Sequence, residues 1–283
     1  MANRLLKWIA AAIVLVGGLT VAQAQTAAPV RPAVVPADFT ITPFGYFHPS
    51  CIQHLAEGDE VRRDEALIRH TNGTATNIQA CAYPHYKADG VKVVGDDPPV
   101  EQPNISHSWI VSESVTDTTS YGFLTAEWTV PPAPASNDGQ TIFYFPGLEQ
   151  SSKVVTILQP VLGWNNDFRP SAVWSIASWN CCVTGTVQEA TPQHANPGDT
   201  ILGYMYATCS TLVVKCATWN IITQDLQSGN FSQLTNTSNF NQAFNWAFGG
   251  VLEVYGVKQC SDYPHSLNGW SAAQESPHLI LTR

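Results

Sequence analysis

Apolar and polar residues alternate along most of the chain after residue 106, in short runs with the period of two that is typical of β-strands. Gly, Pro, Asn and Asp residues, which favour turns, separate these runs. The succession of short strands predicts an all-β fold, either an antiparallel β-sandwich or a jelly roll. Eight strands are predicted, at residues 108–115, 121–130, 140–146, 154–162, 172–179, 200–208, 212–223 and 249–257.

The chain before residue 106 differs in composition and in the pattern of its apolar residues. Arg4 and Lys7 precede an apolar run that ends in Ala22-Gln23-Ala24, the pattern of a cleavable secretory signal peptide. A flexible leader rich in Ala, Pro and Val is expected next, and then a small N-terminal unit that is a candidate prosegment. Residues 57–68 of this unit fit a helix and charged turns with short strands equally well. The predicted divisions are 1–24 signal peptide, 25–41 leader, 42–105 N-terminal unit, 106–260 β-sandwich and 261–283 C-terminal tail.

Composition narrows the choice of partners. The chain has 13 Lys and Arg against 22 Asp and Glu, a net charge of −9, so binding to nucleic acid is not expected. No apolar run after the signal approaches the roughly 18 to 20 residues of a membrane helix, so no membrane association is expected after signal removal. We expect a secreted monomer, released outside the cell or into the periplasm. Only 12% of residues are charged, which suits an acidic environment.

Seven cysteines lie in the exported part of the chain, where disulfide bonds are the default. Cys209 and Cys216 are predicted to form a disulfide bond that closes a hairpin, and Cys51 and Cys81 one that cross-links the N-terminal unit. Either Cys181 or Cys182 is expected to reach Cys260. The competing interpretation is a metal site formed with His48, His54 and His85, but no spacing there matches a zinc pattern. We therefore expect no metal and no cofactor.

Two polar residues interrupt apolar strand faces. Alternation places Gln159 between Ile157 and Val161 on one face of its strand, and Glu253 between Val251 and Tyr255 on a face of another. A buried amide or carboxylate needs a partner or a ligand, and desolvation raises the pKa of such a carboxylate. Both residues are thus candidates for chemistry, although a solvent-facing position for each fits the same spacing.

Two further carboxylates are candidates, and turn or surface positions are the alternative for both. Glu127 shares a strand face with Phe123 and Thr125, and Glu149 follows an apolar run. No Gly-x-Ser-x-Gly, His-Glu-x-x-His or phosphate-binding glycine loop is present, and most histidines lie outside the strand-rich region. Any chemistry should therefore depend on carboxylates and amides.

Several short segments together resemble the eqolisins, a family of glutamic peptidases. The members of this family are secreted endopeptidases that work in acid and are built as β-sandwiches. The similarity covers residues 106–258 and lies in the order and spacing of the segments. Gly249 stands where the family has an additional glutamate, and Pro160 follows the glutamine directly. The segments are Glu127-Trp128-Thr129-Val130-Pro131, Phe145-Pro146-Gly147-Leu148-Glu149, Thr156-Ile157-Leu158-Gln159, Trp174 to Trp179, Asn196-Pro197-Gly198-Asp199 and Gly249-Gly250-Val251-Leu252-Glu253.

The resemblance implies a concanavalin-like jelly roll that hydrolyses polypeptides in acid with an activated water. It implies that Gln159 and Glu253 are the catalytic pair, with the carboxylate as base and the amide as oxyanion donor. By position, substrate binding is expected at Glu149, Trp174, Trp179 and Glu127.

A carbohydrate-related function is the alternative. Nine tryptophans could stack on sugars, and Glu127 or Glu149 with Glu253 could form the carboxylate pair of a glycosidase. A noncatalytic, lectin-like binding module is the third interpretation. The Glu-x-Asp-x-Glu clustering common in jelly-roll glucanases is absent from the sequence.

Overall fold

The computed structural model describes residues 31–62, 66–93, 109–152, 156–165, 172–181, 185–209, 216–264 and 280–282. Within these ranges the protein consists of β-strands, turns and two short 3-10 turns, with no α-helix, and the predicted all-β class is confirmed. The described part of the chain also contains no helix long and apolar enough to cross a lipid bilayer.

One large sheet, the front sheet, carries the candidate site. Its strands are β3 (Ile52–Leu55), β9 (Trp109–Thr116), β11 (Thr141–Glu149), β12 (Ile157–Trp164), β13 (Trp174–Cys181), β14 (Val187–Ala190), β15 (Gln193–Ala195) and β19 (Trp246–Tyr255). They are ordered β3, β14, β13, β12, β11, β19, β9, and β15 also pairs with β13. All pairs are antiparallel except β3 with β14.

A second large sheet, the back sheet, packs against the front sheet. Its strands are β4 (Glu60–Arg62), β5 (Leu67–Arg69), β6 (Ala75–Asn77), β10 (Phe123–Thr129), β16 (Thr200–Ala207), β17 (Thr218–Asp225), β18 (Phe231–Ser238) and β20 (Ile280–Thr282). They are ordered β20, β10, β16, β17, β18, β4, β5, β6.

A small third sheet, the cover, lies on the other side of the front sheet. It is ordered β1 (Thr40–Thr42), β2 (Gly45–Phe47), β7 (His85–Tyr86) and β8 (Lys92–Val93). Ile41, Tyr46 and Phe47 of the cover are buried in one apolar cluster with front-sheet residues such as Val161 and Val251. The front sheet is therefore covered on both faces.

Apolar side chains fill the space between the two large sheets. Leu148 and Leu158 of the front sheet share one buried cluster with Leu124, Met205 and Ile221 of the back sheet. Burying each such side chain stabilises the fold by roughly 1.5 to 3 kcal/mol.

Polar bonds also join the two sheets. The Ser178 hydroxyl lies 2.9 Å from the Thr223 hydroxyl and donates to the Ser232 carbonyl at 2.8 Å. The Asn180 amide donates to the Ser238 carbonyl at 2.9 Å. Buried polar groups are tolerated here because each finds a partner across the interface.

The eight strands predicted from alternation correspond to β9, β10, β11, β12, β13, β16, β17 and β19. Seven agree within three residues at each end, whereas β17 begins at Thr218, and residues 212–215 of its prediction lie outside the described residues. The helix considered for residues 57–68 is wrong, because β4 and β5 pair as antiparallel strands there and β4 joins β18. Strands β14, β15 and β18 were not predicted. The sequence of β18, Phe231–Ser238, is mainly polar and does not by itself predict a strand. This segment forms a strand by pairing with β17.

Two predicted disulfides, Cys51–Cys81 and Cys209–Cys216, are present. The predicted bond to Cys260 is wrong, because Cys260 is an exposed free thiol. Cys181 is nevertheless disulfide-bonded. The prediction failed because alternation shows which way a cysteine points but not what lies opposite.

The N-terminal part of the chain is built into both large sheets. Val35 and Phe39 of the expected leader are buried, at 4% and 5% exposure, so this part of the leader is packed. Strand β3 extends the front sheet, whereas β4 extends the back sheet. The signal at 1–24 lies outside the described residues, and of the C-terminal tail β20 pairs with β10.

Candidate active site

One face of the front sheet, which we call the Gln159 face, is turned away from the back sheet. Ile157, Gln159 and Val161 of β12 lie on it, whereas Leu158 and Leu162 point into the sandwich. This division follows directly from the alternation of side chains along a strand. The prediction for the phase of β12 is thus correct.

Strand pairing arranges the Gln159 face in rows. Gln159 lies opposite Trp179, and Trp179 lies opposite Glu189. On the other side, the register between β11 and β12 puts Gly147 opposite Gln159. Gly147 brings the strands close, since a Cβ there would lie 3.1 Å from the Ile157 side chain.

Gln159 is the polar centre of this face. It is 0% exposed, and neither its Nε2 nor its Oε1 has a hydrogen-bond partner among the described residues. An unpaired buried amide costs about 1 to 3 kcal/mol. Such a group is therefore expected to act on a ligand or water instead of stabilising the fold.

Glu253 lies on the same face, but the structure does not bring it to Gln159. Glu253 is opposite Phe143, which is opposite Gly163, four residues along β12 from Gln159. Four residues at ~3.3 Å and two strands at ~4.8 Å separate the Cα atoms of Gln159 and Glu253 by about 16 Å. The register of the strands therefore does not bring the predicted catalytic pair together.

A row of apolar side chains lies between the two residues, formed by Phe145, Val161 and Val251. The Tyr255 hydroxyl donates to Glu253 Oε1 at 2.6 Å, on the side of Glu253 that is remote from Gln159 along β19. Alternation fixed the face of Glu253, but only the strand register fixes its distance from Gln159.

A β-bulge in β19 lies beside the Gln159 row. The register with β11 shifts between the pairs Phe145↔Val251 and Gly147↔Phe248, and the β9 pairing shifts at the same place. The extra residue falls at the Gly249-Gly250 pair, as is common for bulges near functional sites. Phe248, whose side chain is buried on the Gln159 face, lies opposite Gly147 in the Gln159 row, so this part of β19 offers Gln159 an aromatic ring and no carboxylate.

Glu149 is the carboxylate nearest to Gln159 in the sheet lattice. It lies opposite Trp246 and, in the continued register, opposite Ile157. Gln159 and Glu149 are therefore diagonal neighbours on adjacent strands, with Cα atoms about 7 to 8 Å apart. Burial raises the pKa of Glu149 to about 8, so the carboxyl is protonated in neutral and acidic solution.

Glu189 is a second buried acid on this face, and the sequence reasoning missed it. Burial raises its pKa to about 7, against the opposing effect of His54, whose Nδ1 lies 2.8 Å from Glu189 Oε2. The indole of Trp179 occupies the position between Glu189 and Gln159. One feature of the sequence could have drawn attention to Glu189: it is the only acidic residue between Asp167 and Asp199.

The remaining predicted site residues divide between three surfaces. Trp179 lies on the Gln159 face, beside Gln159. Trp174 points into the sandwich, where its ring lies 5.2 Å from that of Trp164. Glu127 is exposed on the outer face of the back sheet. Neither Trp174 nor Glu127 is brought together with Gln159.

The cover closes the Gln159 face. The Phe44 ring lies 6.1 Å from that of Trp179, and the Tyr46 ring lies 5.5 Å from that of Tyr255. The β1–β2 hairpin thus spans the distance from the Gln159 row to the Glu253 row. Gly45, at its turn, has φ +113° and lies so close to β7 that a Cβ would be 2.1 Å from the Tyr86 carbonyl oxygen.

The alternative metal site is not formed by the residues considered for it. Cys51 and Cys81 bond to each other, and no group of three or more His, Cys, Asp or Glu side chains in the described ranges could hold a metal ion. The chemistry available on this face comes from amide, carboxyl and aromatic groups.

Comparisons with protein-family models and with curated proteins give no significant match. Among solved structures, scytalido-glutamic peptidase with a transition-state analog inhibitor is 14% identical, with a TM-score of 0.39 over 57% of this chain and 68% of that one. SCP-B, a member of the eqolisin family of peptidases, is 14% identical, with a TM-score of 0.37 over 62% and 74%. CG-16, a homodimeric agglutinin from chicken liver, is 11% identical, with a TM-score of 0.28 over 52% and 98%. These similarities are distant and concern the β-sandwich architecture.

Proposed function

We propose that the protein is an exported acid endopeptidase whose site is the Gln159 face and whose catalytic pair is Gln159 and Glu149. The observation that carries this proposal is the fully buried, unpartnered amide of Gln159, with a protonated carboxyl as its diagonal neighbour. An amide and a carboxyl are sufficient for hydrolysis of a peptide bond by water. Glu149 here takes the role that the resemblance assigned to Glu253.

The reaction needs a base for the attacking water, a hydrogen-bond donor for the oxyanion and an acid for the leaving nitrogen. Ionised Glu149 takes a proton from water as the water oxygen attacks the substrate carbonyl carbon. The Gln159 Nε2–H donates to the resulting oxyanion, at any pH, because an amide does not titrate. Protonated Glu149 then gives its proton to the leaving nitrogen as the C–N bond breaks, which yields a carboxylic acid and an amine.

In the covered form this chemistry is blocked for two reasons. The β1–β2 hairpin fills the space over Trp179 that a polypeptide substrate would need. Burial also keeps Glu149 protonated, with its pKa raised from 4.5 to about 8, so it cannot act as a base in acid. We expect removal of the hairpin to open the Glu149 end of the face to water, which would return the pKa of Glu149 toward its ordinary value, near 4 to 5, where an acid endopeptidase works.

Acid alone should not remove the cover. The raised pKa means that the covered state binds a proton more tightly than an exposed one, so the contribution of Glu149 favours the covered state at low pH and weakens as pH rises from 4.5 toward 8. Activation therefore requires cleavage of the chain. Pro49 and Ser50 are exposed and lie between His48, which follows β2, and Cys51, so a cut there separates residues 31–47 from the disulfide-held remainder.

The proposal is tested with a specific protease site introduced at residues 49–50. After the cut, hydrolysis of a denatured protein is measured at pH 4 for four variants. Gln159→Met and Glu149→Gln should each lower turnover by about 100-fold or more, the usual effect of losing an oxyanion donor or the base. Glu127→Gln, on the exposed outer face of the back sheet, is the matched control and should have no effect.

Glu253→Gln distinguishes the two candidate pairs. Near-normal turnover in Glu253→Gln with loss in Glu149→Gln supports the pair proposed here. The reverse pattern would assign the base to Glu253 and overturn the role of Glu149.

A further inference from the structure

A second polar and aromatic surface lies on the opposite side of the molecule. In β16, Gly203 and Met205 point into the sandwich, so Tyr204 and Tyr206 lie on the outer face of the back sheet. Their rings are parallel to within 13°, with centroids 6.4 Å apart. Both residues are partly exposed.

Neighbouring strands place amide side chains around this tyrosine pair. Tyr204 lies opposite Ile222, which lies opposite Gln233, and Tyr206 lies opposite Asn220. The Asn220 amide donates to the Tyr206 hydroxyl at 2.7 Å. Since the Asn220 Oδ1 accepts from the backbone N–H of Asn236 at 2.8 Å, the amide is held in place and fixes the ring of Tyr206.

The adjoining row continues the pattern. Gln224 lies opposite Phe231 on one side, and the row ends on the other side at Glu127. The strands β10, β16, β17 and β18 contain no lysine, arginine or histidine. Their acidic residues are Glu127 and Asp225, and Asp225 is fully buried. The outer face of these four strands thus carries one charged side chain, Glu127, and the next charged residues of this face, Glu60 and Arg69, follow on β4 and β5.

We infer that this surface binds a neutral polysaccharide. Aromatic rings attract the C–H groups of a sugar face, because the ring face is negative and the C–H hydrogens are positive. Amide side chains both donate to and accept from hydroxyl groups, and Glu127 accepts from them. An uncharged face suits an uncharged polyol better than a phosphorylated or basic partner, and two parallel rings on one strand match successive units of one extended chain.

This binding surface is independent of the proposed peptidase site, because the two lie on opposite sides of the sandwich. It would hold the protein on a polysaccharide matrix by the side of the molecule that is opposite the Gln159 face. Failure of one proposal therefore does not affect the other.

The test is affinity electrophoresis of the intact protein in gels that contain hydroxyethylcellulose, xylan or barley β-glucan. At least one polymer should retard the wild type, and Tyr204→Ala and Tyr206→Ala should each weaken binding by about tenfold, as truncation of an interface aromatic typically does. Tyr204→Phe keeps the ring and should bind normally. The control is Tyr83→Ala, since Tyr83 is 47% exposed in the loop before β7.

Two results would overturn the inference. One is the absence of retardation by all three polymers, and the other is retardation that persists unchanged in both alanine variants. Circular dichroism of each variant separates weak binding from loss of fold. If a variant is unfolded, Glu127→Ala and Gln233→Ala replace it, and both should weaken binding without changing the sandwich interior.

Discussion

Gly45→Ala should loosen the cover, because Gly45 holds the β1–β2 hairpin against β7. The residue has φ +113°, a conformation that side chains with a Cβ rarely adopt, and the new Cβ would lie 2.1 Å from the Tyr86 carbonyl oxygen. Backbone strain of this kind costs about 1 to 3 kcal/mol. The contact with Tyr86 adds to it, because a backbone atom cannot turn aside as a flexible side chain can.

The expected consequence is a larger population with the cover detached. Strain of about 1 to 3 kcal/mol corresponds to a 5- to 150-fold shift in an equilibrium, and the collision with Tyr86 places the effect at the upper end. Hydrogen exchange should therefore accelerate by about 100-fold at the amides of β2 and its partner Tyr86. Exchange in β12, at the centre of the front sheet, should remain slow.

Gly73→Ala is the matched control. Gly73 also has a positive φ, +83°, but a Cβ there would meet nothing within 4 Å. It therefore reproduces the strain without the collision and lies away from the β2–β7 contact. Equal exchange of β2 in both variants, or no acceleration in Gly45→Ala, would refute the argument that close packing at Gly45 holds the cover.

Three further predictions follow from the buried polar groups and the thiols. Glu149→Gln should match the wild type in stability at pH 4 and exceed it at pH 7 by on the order of 3 kcal/mol, since the pKa of Glu149 rises from 4.5 to about 8 on folding. Thermal melts across pH 4 to 8 measure the difference, and melting temperatures that change in parallel with pH in both proteins would contradict it. Ser178→Ala should lower the free energy of unfolding by about 1 to 3 kcal/mol, because the Thr223 hydroxyl and Ser232 carbonyl lose a partner; urea denaturation measures this, and an unchanged midpoint would exclude a stabilising role. Cys260 should react with a thiol reagent in the native protein, and mass spectrometry showing no labelled Cys260 would contradict its exposure.

The sequence was most informative where alternation alone decides the structure. It placed Gln159 and Glu253 correctly on the same face, because period two is a local property of each strand. It could not place them together or apart, since the register between β11, β12 and β19 depends on pairing and on the bulge at Gly249-Gly250. The sequence identified Glu149 only as a candidate substrate-binding residue, from its position after an apolar run.

Other parts of the site depend on tertiary pairing that leaves little trace in the sequence. Glu189 lies in β14, whose four residues are all buried and show no alternation. Its partner His54 comes from β3, 135 residues earlier in the chain, through a parallel pairing. The leader was predicted to be flexible from its Ala, Pro and Val content, yet Val35 and Phe39 pack into the cover because the front sheet offers an apolar face.

The central claim is that a latent acid peptidase site lies beneath the cover, and the most direct test is the pH–rate profile before and after cleavage at residues 49–50. The uncut protein should hydrolyse denatured protein at no pH from 3 to 7. The cut protein should become active, with a maximum at about pH 4 to 5, where an exposed glutamate near its ordinary pKa serves as both base and acid. A cut protein that has lost residues 31–47, remains folded and hydrolyses nothing across this range would contradict the account.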